Sequence, residues 1–385
     1  MSLALILLFA TAAGLSVGNL YYAQPLLGAI SNAFHVTEAH AGLIATVTQL
    51  GYAAGLVLLV PLGDLFENRR LLTVLLGGTV LSLLAAAVAP SMLWFVLASL
   101  AIGVTSVVAQ VLVPFAASLS PPARRGEVVG QVMSGLLLGI LLARALAGLL
   151  SDQLGWRAVY LISAALMGLS AVTLRLCLPT RQPGYTGTYG ALLRSLVDIY
   201  RAQPVLRRRA VYQAAMFGSF SAFWTCLTFL LSAPPFRFSM AQIGAVALVG
   251  ALGATVAPLA GKLGDRGASH PATGAALALA ALGFGLTLWQ TSLVAIVVGA
   301  CLLDLGVQMC LVLGQQAIYS LDESQRSRLN TLYISIFFLG GAVGSALASQ
   351  AYGHGGWTWV VAIGSGGPLL AFFYWLTERR SDLAG

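Results

Sequence analysis

Two ionisable side chains stand inside otherwise apolar stretches of the chain, Arg144 in GILLARALAG and Asp304 in CLLDLGVQ. A charge at the centre of a hydrocarbon layer costs at least about 2.5–3.5 kcal/mol, so it needs a partner or a watery cavity. Desolvation drives a buried carboxylate toward its protonated form, and a nearby cation draws it back toward the ionised form. That competition is the chemistry of a proton-binding group. Arg144 supplies a cation, either for an anionic ligand or for Asp304, and the plainer reading has it snorkelling to the outer interface. For Asp304 the plainer reading is a permanent pair that holds two helices together.

Weaker polar groups surround this pair in the sequence. Gln308 and Gln315 follow Asp304 in nearly the same helical direction, which gives its helix one wet face. In GNLYYAQPLL, Asn19 and Tyr22 share one face and read as cavity-lining, whereas Tyr21 and Gln24 point toward neighbouring helices; the sequence does not fix the helix rotation, so the opposite assignment of the two faces stays open. Pro25 frees a carbonyl near Tyr21 and permits a bend. Thr48, Gln49 and Tyr52 share a face, as do Ser221, Thr225 and Thr228 with Trp224 beside them. Hydroxyls and amides near aromatic rings suit a mostly apolar ligand held by a few polar contacts. The expected cavity set is therefore Asn19, Tyr22, Gln49, Tyr52, Trp224, Thr225 and Gln308. Each of these alone reads equally as a bond between helices.

The sequence carries no Walker loop, dinucleotide fingerprint, metal-ligand cluster or catalytic triad. It gives no reason to expect a cofactor, an enzymatic activity or ATP-driven work by this chain alone. Cys177, Cys226, Cys301 and Cys310 lie in apolar stretches without metal spacing and read as packed thiols. His35 and His40 fall in the first outer loop, without a catalytic partner.

The elements that hold these residues follow from composition. Of 385 residues, 58% are hydrophobic and 8% charged, against about 25% charged in soluble domains. A membrane span needs about 20 apolar residues and must be helical to satisfy its own backbone. Spans are expected near 4–31, 41–62, 71–89, 93–117, 127–150 and 157–178, then near 210–232, 241–262, 272–289, 292–318, 330–351 and 357–376. The first is too long and too polar for a cleaved signal. The net charge of +8 is explained by placement rather than by nucleic acid. Most basic residues, among them Arg69, Arg70, Arg124, Arg125, Arg181, Arg194, Arg207, Arg208, Arg209, Arg266, Arg379 and Arg380, fall on one side of the alternating topology. The positive-inside rule then puts both termini and the central loop in the cytoplasm.

Three landmarks repeat. Asp64 in LGDLFENRR matches Asp265 in LGDRGASHPA at 201 positions, Trp156 matches Trp357 at 201, and Gly42 matches Gly244 at 202. The expectation is an all-α polytopic membrane protein, with twelve transmembrane helices as two parallel six-helix repeats around a central cavity. Residues 1–178 form the first bundle, 179–209 a cytoplasmic linker, 210–376 the second bundle and 377–385 a cytoplasmic tail. Within the linker, LLRSLVDIYRA reads as a short amphipathic helix on the membrane surface.

In its duplication, its central loop and the loops GDLFENRR and GKLGDRG, the sequence resembles the major facilitator superfamily along nearly its whole length. The stretches GNLYYAQPLL, RRGEVVGQVMSGLLLGILLARALAGLL and LDLGVQ look like a bacterial subgroup filed with the drug-efflux branch. The second loop matches the family pattern at Gly261, Leu263, Asp265 and Arg266. The first keeps Asp64, Arg69 and Arg70 but has Val60 and Glu67 where glycines belong. The resemblance implies that these loops latch the cytoplasmic face. In the fifth span, Arg144 occupies the position of a proline in the antiporter-type pattern, and only Gly139 and Gly148 remain of its small-residue framework. The function implied is secondary active transport by alternating access: proton-coupled efflux of a small, partly apolar molecule across the bacterial inner membrane by a monomer in the lipid bilayer. The alternatives are facilitated uniport, proton-linked uptake or, from another class, a non-transporting membrane receptor.

Overall fold

The computed structural model describes residues 2–121, 124–180, 185, 187–250, 256–322 and 325–378. Arg181, Arg379, Arg380, part of the linker, the tail beyond Glu378 and residues 251–255 of the eighth expected span lie outside the described residues.

The described chain is helical throughout its regular structure. In order the helices are α1 (Leu3–Gly18), α2 (Ala23–Phe34), α3 (Glu38–Leu58), α4 (Asn68–Ala87), α5 (Met92–Thr105), α6 (Val108–Ser118), α7 (Arg125–Leu154) and α8 (Trp156–Cys177). They continue as α9 (Tyr189–Ala202), α10 (Pro204–Ser232), α11 (Met240–Val246), α12 (Ala257–Asp265), α13 (Ser269–Leu286), α14 (Leu293–Tyr319) and α15 (Arg326–Leu376). Tight 3-10 turns cover Val60–Asp64 and Ala247–Gly250. Among the described residues, nine helical segments are long and apolar enough to cross a membrane. The last runs for 51 residues and contains a kink at Gly355 and Gly356, with Gly356 at φ 63°. Only glycine takes such an angle without steric strain, and this is where the sequence expectation separates its last two spans.

Among the described residues, two expected spans are broken by turns between two α-helices. The first breaks over residues 19–22 between α1 and α2, and the fourth breaks at Ser106 and Val107 between α5 and α6. A break exposes backbone carbonyls that lipid cannot satisfy. Here the Ser106 carbonyl accepts a hydrogen bond from the Ser16 hydroxyl at 3.0 Å, so the first break region stands beside the second. The Tyr21 carbonyl, four residues before Pro25 and expected to be freed by it, accepts instead from the backbone N–H of Gln24 at 3.3 Å.

The contacts divide the chain into two compact units. The first comprises Met1–Phe34, Val47–Arg194 and Ser239–Ala245; the second comprises His35–Thr46, Ser195–Phe238 and Val246–Gly385. The segments 35–46 and 239–245 thus belong to a different unit from their neighbours in sequence. In the first unit, α1 lies on α7 through glycines. A Cβ placed on Gly14 would meet the Gly135 carbonyl oxygen at 2.5 Å, and one on Gly139 would clash with the Gly14 backbone. Such close approach gives van der Waals attraction where lipid supplies no hydrophobic drive. Linker helix α9 is amphipathic as expected, but its apolar residues Leu192, Leu196 and Ile199 are buried in protein, not laid on a membrane surface. Tyr189 begins that helix and donates from its hydroxyl to the Leu58 carbonyl at 2.8 Å, filling an acceptor left open at the end of α3.

Candidate functional site

In the first unit the break between α1 and α2 builds a polar site around Arg144. Helix α7 presents the guanidinium, which is 4% exposed. Its Nε donates to Gln24 Oε1 at 2.7 Å, and its central carbon lies 4.8 Å from the centre of the Tyr21 ring. An aromatic face and an amide oxygen are suitable neighbours for a guanidinium taken out of water. Tyr21 and Gln24, expected to contact neighbouring helices, both meet the buried cation on α7. Asn19 also bonds between helices. Its Oδ1 accepts from Ser163 Oγ at 2.7 Å and its amide nitrogen lies 3.5 Å from Met167 Sδ, so it is bonded to α8. Tyr22 is also buried, with its hydroxyl against Gly18. Gln49 and Tyr52 are buried on α3, and the Tyr52 hydroxyl accepts from Gln110 Nε2 at 3.4 Å.

The same unit contains a carboxylate that sequence reasoning passed over. Asp152, at the far end of α7, accepts from the backbone amides of Met240 at 3.2 Å and Ala241 at 2.9 Å. These are open donors at the start of a helix, and a carboxylate is their favoured partner.

In the second unit Asp304 is 3% exposed on α14. Trp224 Nε1 donates to its Oδ1 at 3.3 Å. Gly250 lies close on the other side, where a Cβ would come within 2.7 Å of Oδ2. Thr225, next to Trp224, is fully buried, and its hydroxyl has no partner among the described residues. Gln308 is half-buried one turn beyond Asp304. Gln315, the end of the expected stripe, donates instead to Asn330 Oδ1 at 3.2 Å, and Tyr319 donates to the same oxygen at 2.9 Å. The lower part of the stripe is therefore an interhelical bond.

The two loops differ. In the first, Asp64 ends the 3-10 turn and is exposed, as is Arg70. Arg69 donates to the Leu178 carbonyl, and Asn68 to the Pro179 carbonyl at 3.2 Å. These side chains fasten the start of α4 to the end of α8. In the second loop, Asp265 Oδ1 and the Gly261 carbonyl both accept from Gln316 Nε2 at 3.2 Å, while Arg266 is exposed. Gly264 leaves room for this amide, since a Cβ there would overlap it. Gln316 had no signal in the sequence beyond its neighbour Gln315.

A further buried charge pair was not expected. Arg209, counted by sequence among the topology-setting cations, is 2% exposed and donates to Glu378, 3% exposed, at 3.0 Å. Thr273 accepts from Arg209 at 3.1 Å, and Tyr212 donates to Glu378 at 3.1 Å. The partners are 169 residues apart, at the ends of two spans, and nothing in a local pattern could join them.

Comparison with known proteins places this architecture. The family model described as Major Facilitator Superfamily matches residues 6–321 and 236–385. The chain is 43% identical over 380 residues to YgaY of Escherichia coli O157:H7, named an uncharacterized transporter, covering 97% of this chain and 95% of the relative. It is 34% identical over 357 residues to SCO4007 of Streptomyces coelicolor, also named as a transporter, covering 92% and 83%. The fold is similar to that of a bacterial homolog to the human lysosomal transporter Spinster, at TM-score 0.79 with 15% identity, over 98% of this chain and 97% of that one. With the helical architecture, the family match and these relatives together, the chain belongs to the Major Facilitator Superfamily.

Proposed function

We propose that the chain is a multi-pass secondary transporter that exports a small, partly apolar molecule against proton entry by alternating access. Its twelve transmembrane helices form two parallel six-helix repeats, residues 1–178 and 210–376, joined by a cytoplasmic linker at 179–209. It works as a monomer in the bacterial inner membrane, with both termini in the cytoplasm. The transporter names of its bacterial relatives support the class. The observation that carries the coupling is Asp304, a carboxylate 3% exposed in an apolar helix and bonded to an indole. A carboxylate buried in an apolar span is the kind of group that exchanges a proton during a transport cycle.

In this reading Arg144, with Tyr21 and Gln24, binds the polar end of the substrate. Asn19, Tyr22, Gln49, Tyr52, Trp224, Thr225 and Gln308 line or support the cavity. Asp64, Arg69, Arg70, Gly261, Asp265 and Arg266 form the cytoplasmic gate, with Gln316 positioning Asp265. The test is a thermal-stabilisation screen of partly apolar acids, amines and zwitterions on the purified protein, repeated with Asp304→Asn and Arg144→Ala. A compound that stabilises the wild type and loses that effect in the variants supports the site. Hits that stabilise all three proteins equally place the ligand elsewhere.

A further inference from the structure

A buried polar seam in the second unit takes no part in the site described above. Along α10, Arg209, Gln213 and Phe217 recur every four residues and share one face. Along α15, Tyr333 and Phe337 do the same. Phe217 stacks on Phe337 with ring centroids 3.7 Å apart and closes one end of the seam. Arg209, paired with Glu378 at 3.0 Å, stands at the other end. Between these ends sit two fully buried polar groups, Gln213 and Tyr333. Neither amide atom of Gln213, nor the Tyr333 hydroxyl, has a hydrogen-bond partner among the described residues. The Tyr333 hydroxyl rests against Gly314, where any side chain would displace it.

Leaving one buried polar group unpaired is costly, and native proteins rarely do so. Three such atoms on one seam call for a common partner. That partner must both donate and accept. The guanidinium beside the seam disfavours a cation, and its nearest acceptor, Glu378, is already an anion that it shares with Arg208 at 3.9 Å, so a neutral partner adds no further charge to the interior. A small neutral donor–acceptor meets both conditions, and water satisfies buried polar groups in this way when it has two to four polar partners. We propose that Gln213 and Tyr333 form an internal water-binding site that extends the Arg209–Glu378 pair into the interior of the second unit.

The direct test is X-ray hydroxyl-radical labelling of the purified wild-type protein, read by mass spectrometry. Radicals formed from bound water modify adjacent side chains that bulk solvent does not reach. Tyr160 is the reference, being equally buried but packed edge-on against Phe95 and Trp156. Labelling of Tyr333 several-fold above Tyr160 supports the site, and labelling no higher than Tyr160 overturns it. Gln213→Leu adds a second readout. With water bound, this variant loses Tyr333 labelling and melts at a lower temperature. A higher melting temperature would mean a dry seam relieved of an unpaired amide, and would also overturn the proposal. Should the variant fail to fold, the wild-type labelling alone decides.

Discussion

At the residue scale, the buried cations differ in what surrounds them. Arg144 meets an amide oxygen and a tyrosine face in the first unit, whereas Arg209 meets a carboxylate. A guanidinium forks and stacks; an ammonium does neither. Arg144→Lys should therefore keep the charge and still lower substrate transport about tenfold, the factor that loss of one charge-assisted bond of about 1.5 kcal/mol gives. Uptake assays at matched expression would read this, and unchanged transport would assign Arg144 a generic positive charge. For the second pair, Glu378→Ala leaves Arg209 buried without its counter-ion and should destabilise the protein by about 3–5 kcal/mol, whereas Arg209→Met with Glu378→Leu should recover most of that loss. Melting of the detergent-solubilised variants compares them. Arg144 and Asp304 were legible in the sequence as buried charges because each stands inside an apolar run long enough to span a membrane. Arg209 and Glu378 were not, because at the ends of spans a buried ion pair and a topology signal look alike.

At the scale of elements, the helix content and the nine apolar helical segments among the described residues were legible because bilayer thickness fixes the length of an apolar run. The breaks after Gly18 and Thr105 were harder to read. Pro25 hinted at the first, but the second has no local breaker at Ser106, and its freed carbonyl is satisfied by Ser16, ninety residues away. Partners of that kind are set by packing and leave no periodicity. The rotation of α1 and α2 was equally hidden, so the sequence could not decide which of the two faces carries the cavity. The close approach of α1 to α7, by contrast, is set by small residues. Gly139→Val should force α1 from α7 and cost about 1–3 kcal/mol or more in stability. Gly168→Val, where no atom lies within 4 Å of a built Cβ, should be close to neutral. Equal melting temperatures for the two variants would contradict the close packing of α1 on α7. In the second loop, Gln316→Leu removes the donor that Asp265 and Gly261 share. It should slow transport as Asp265→Asn does, and the double variant should be no worse than either single one.

At the scale of the whole molecule, family membership brings a transport class without fixing its direction or its driving force. In the proposed reading the driving force rests on a single carboxylate, Asp304. If Asp304 exchanges a proton in each cycle, substrate movement and proton movement are two readings of one event, and removing the carboxylate's charge uncouples them. The most direct measurement is proton flux in proteoliposomes containing an internal pH dye, driven by a gradient of a ligand found in the stabilisation screen. The account predicts that the wild type acidifies or alkalinises the lumen in step with substrate, in the sense of exchange, and that Asp304→Asn shows no substrate-driven pH change. Substrate flux that proceeds without proton movement in the wild type, or persists with unaltered proton movement in Asp304→Asn, would contradict it.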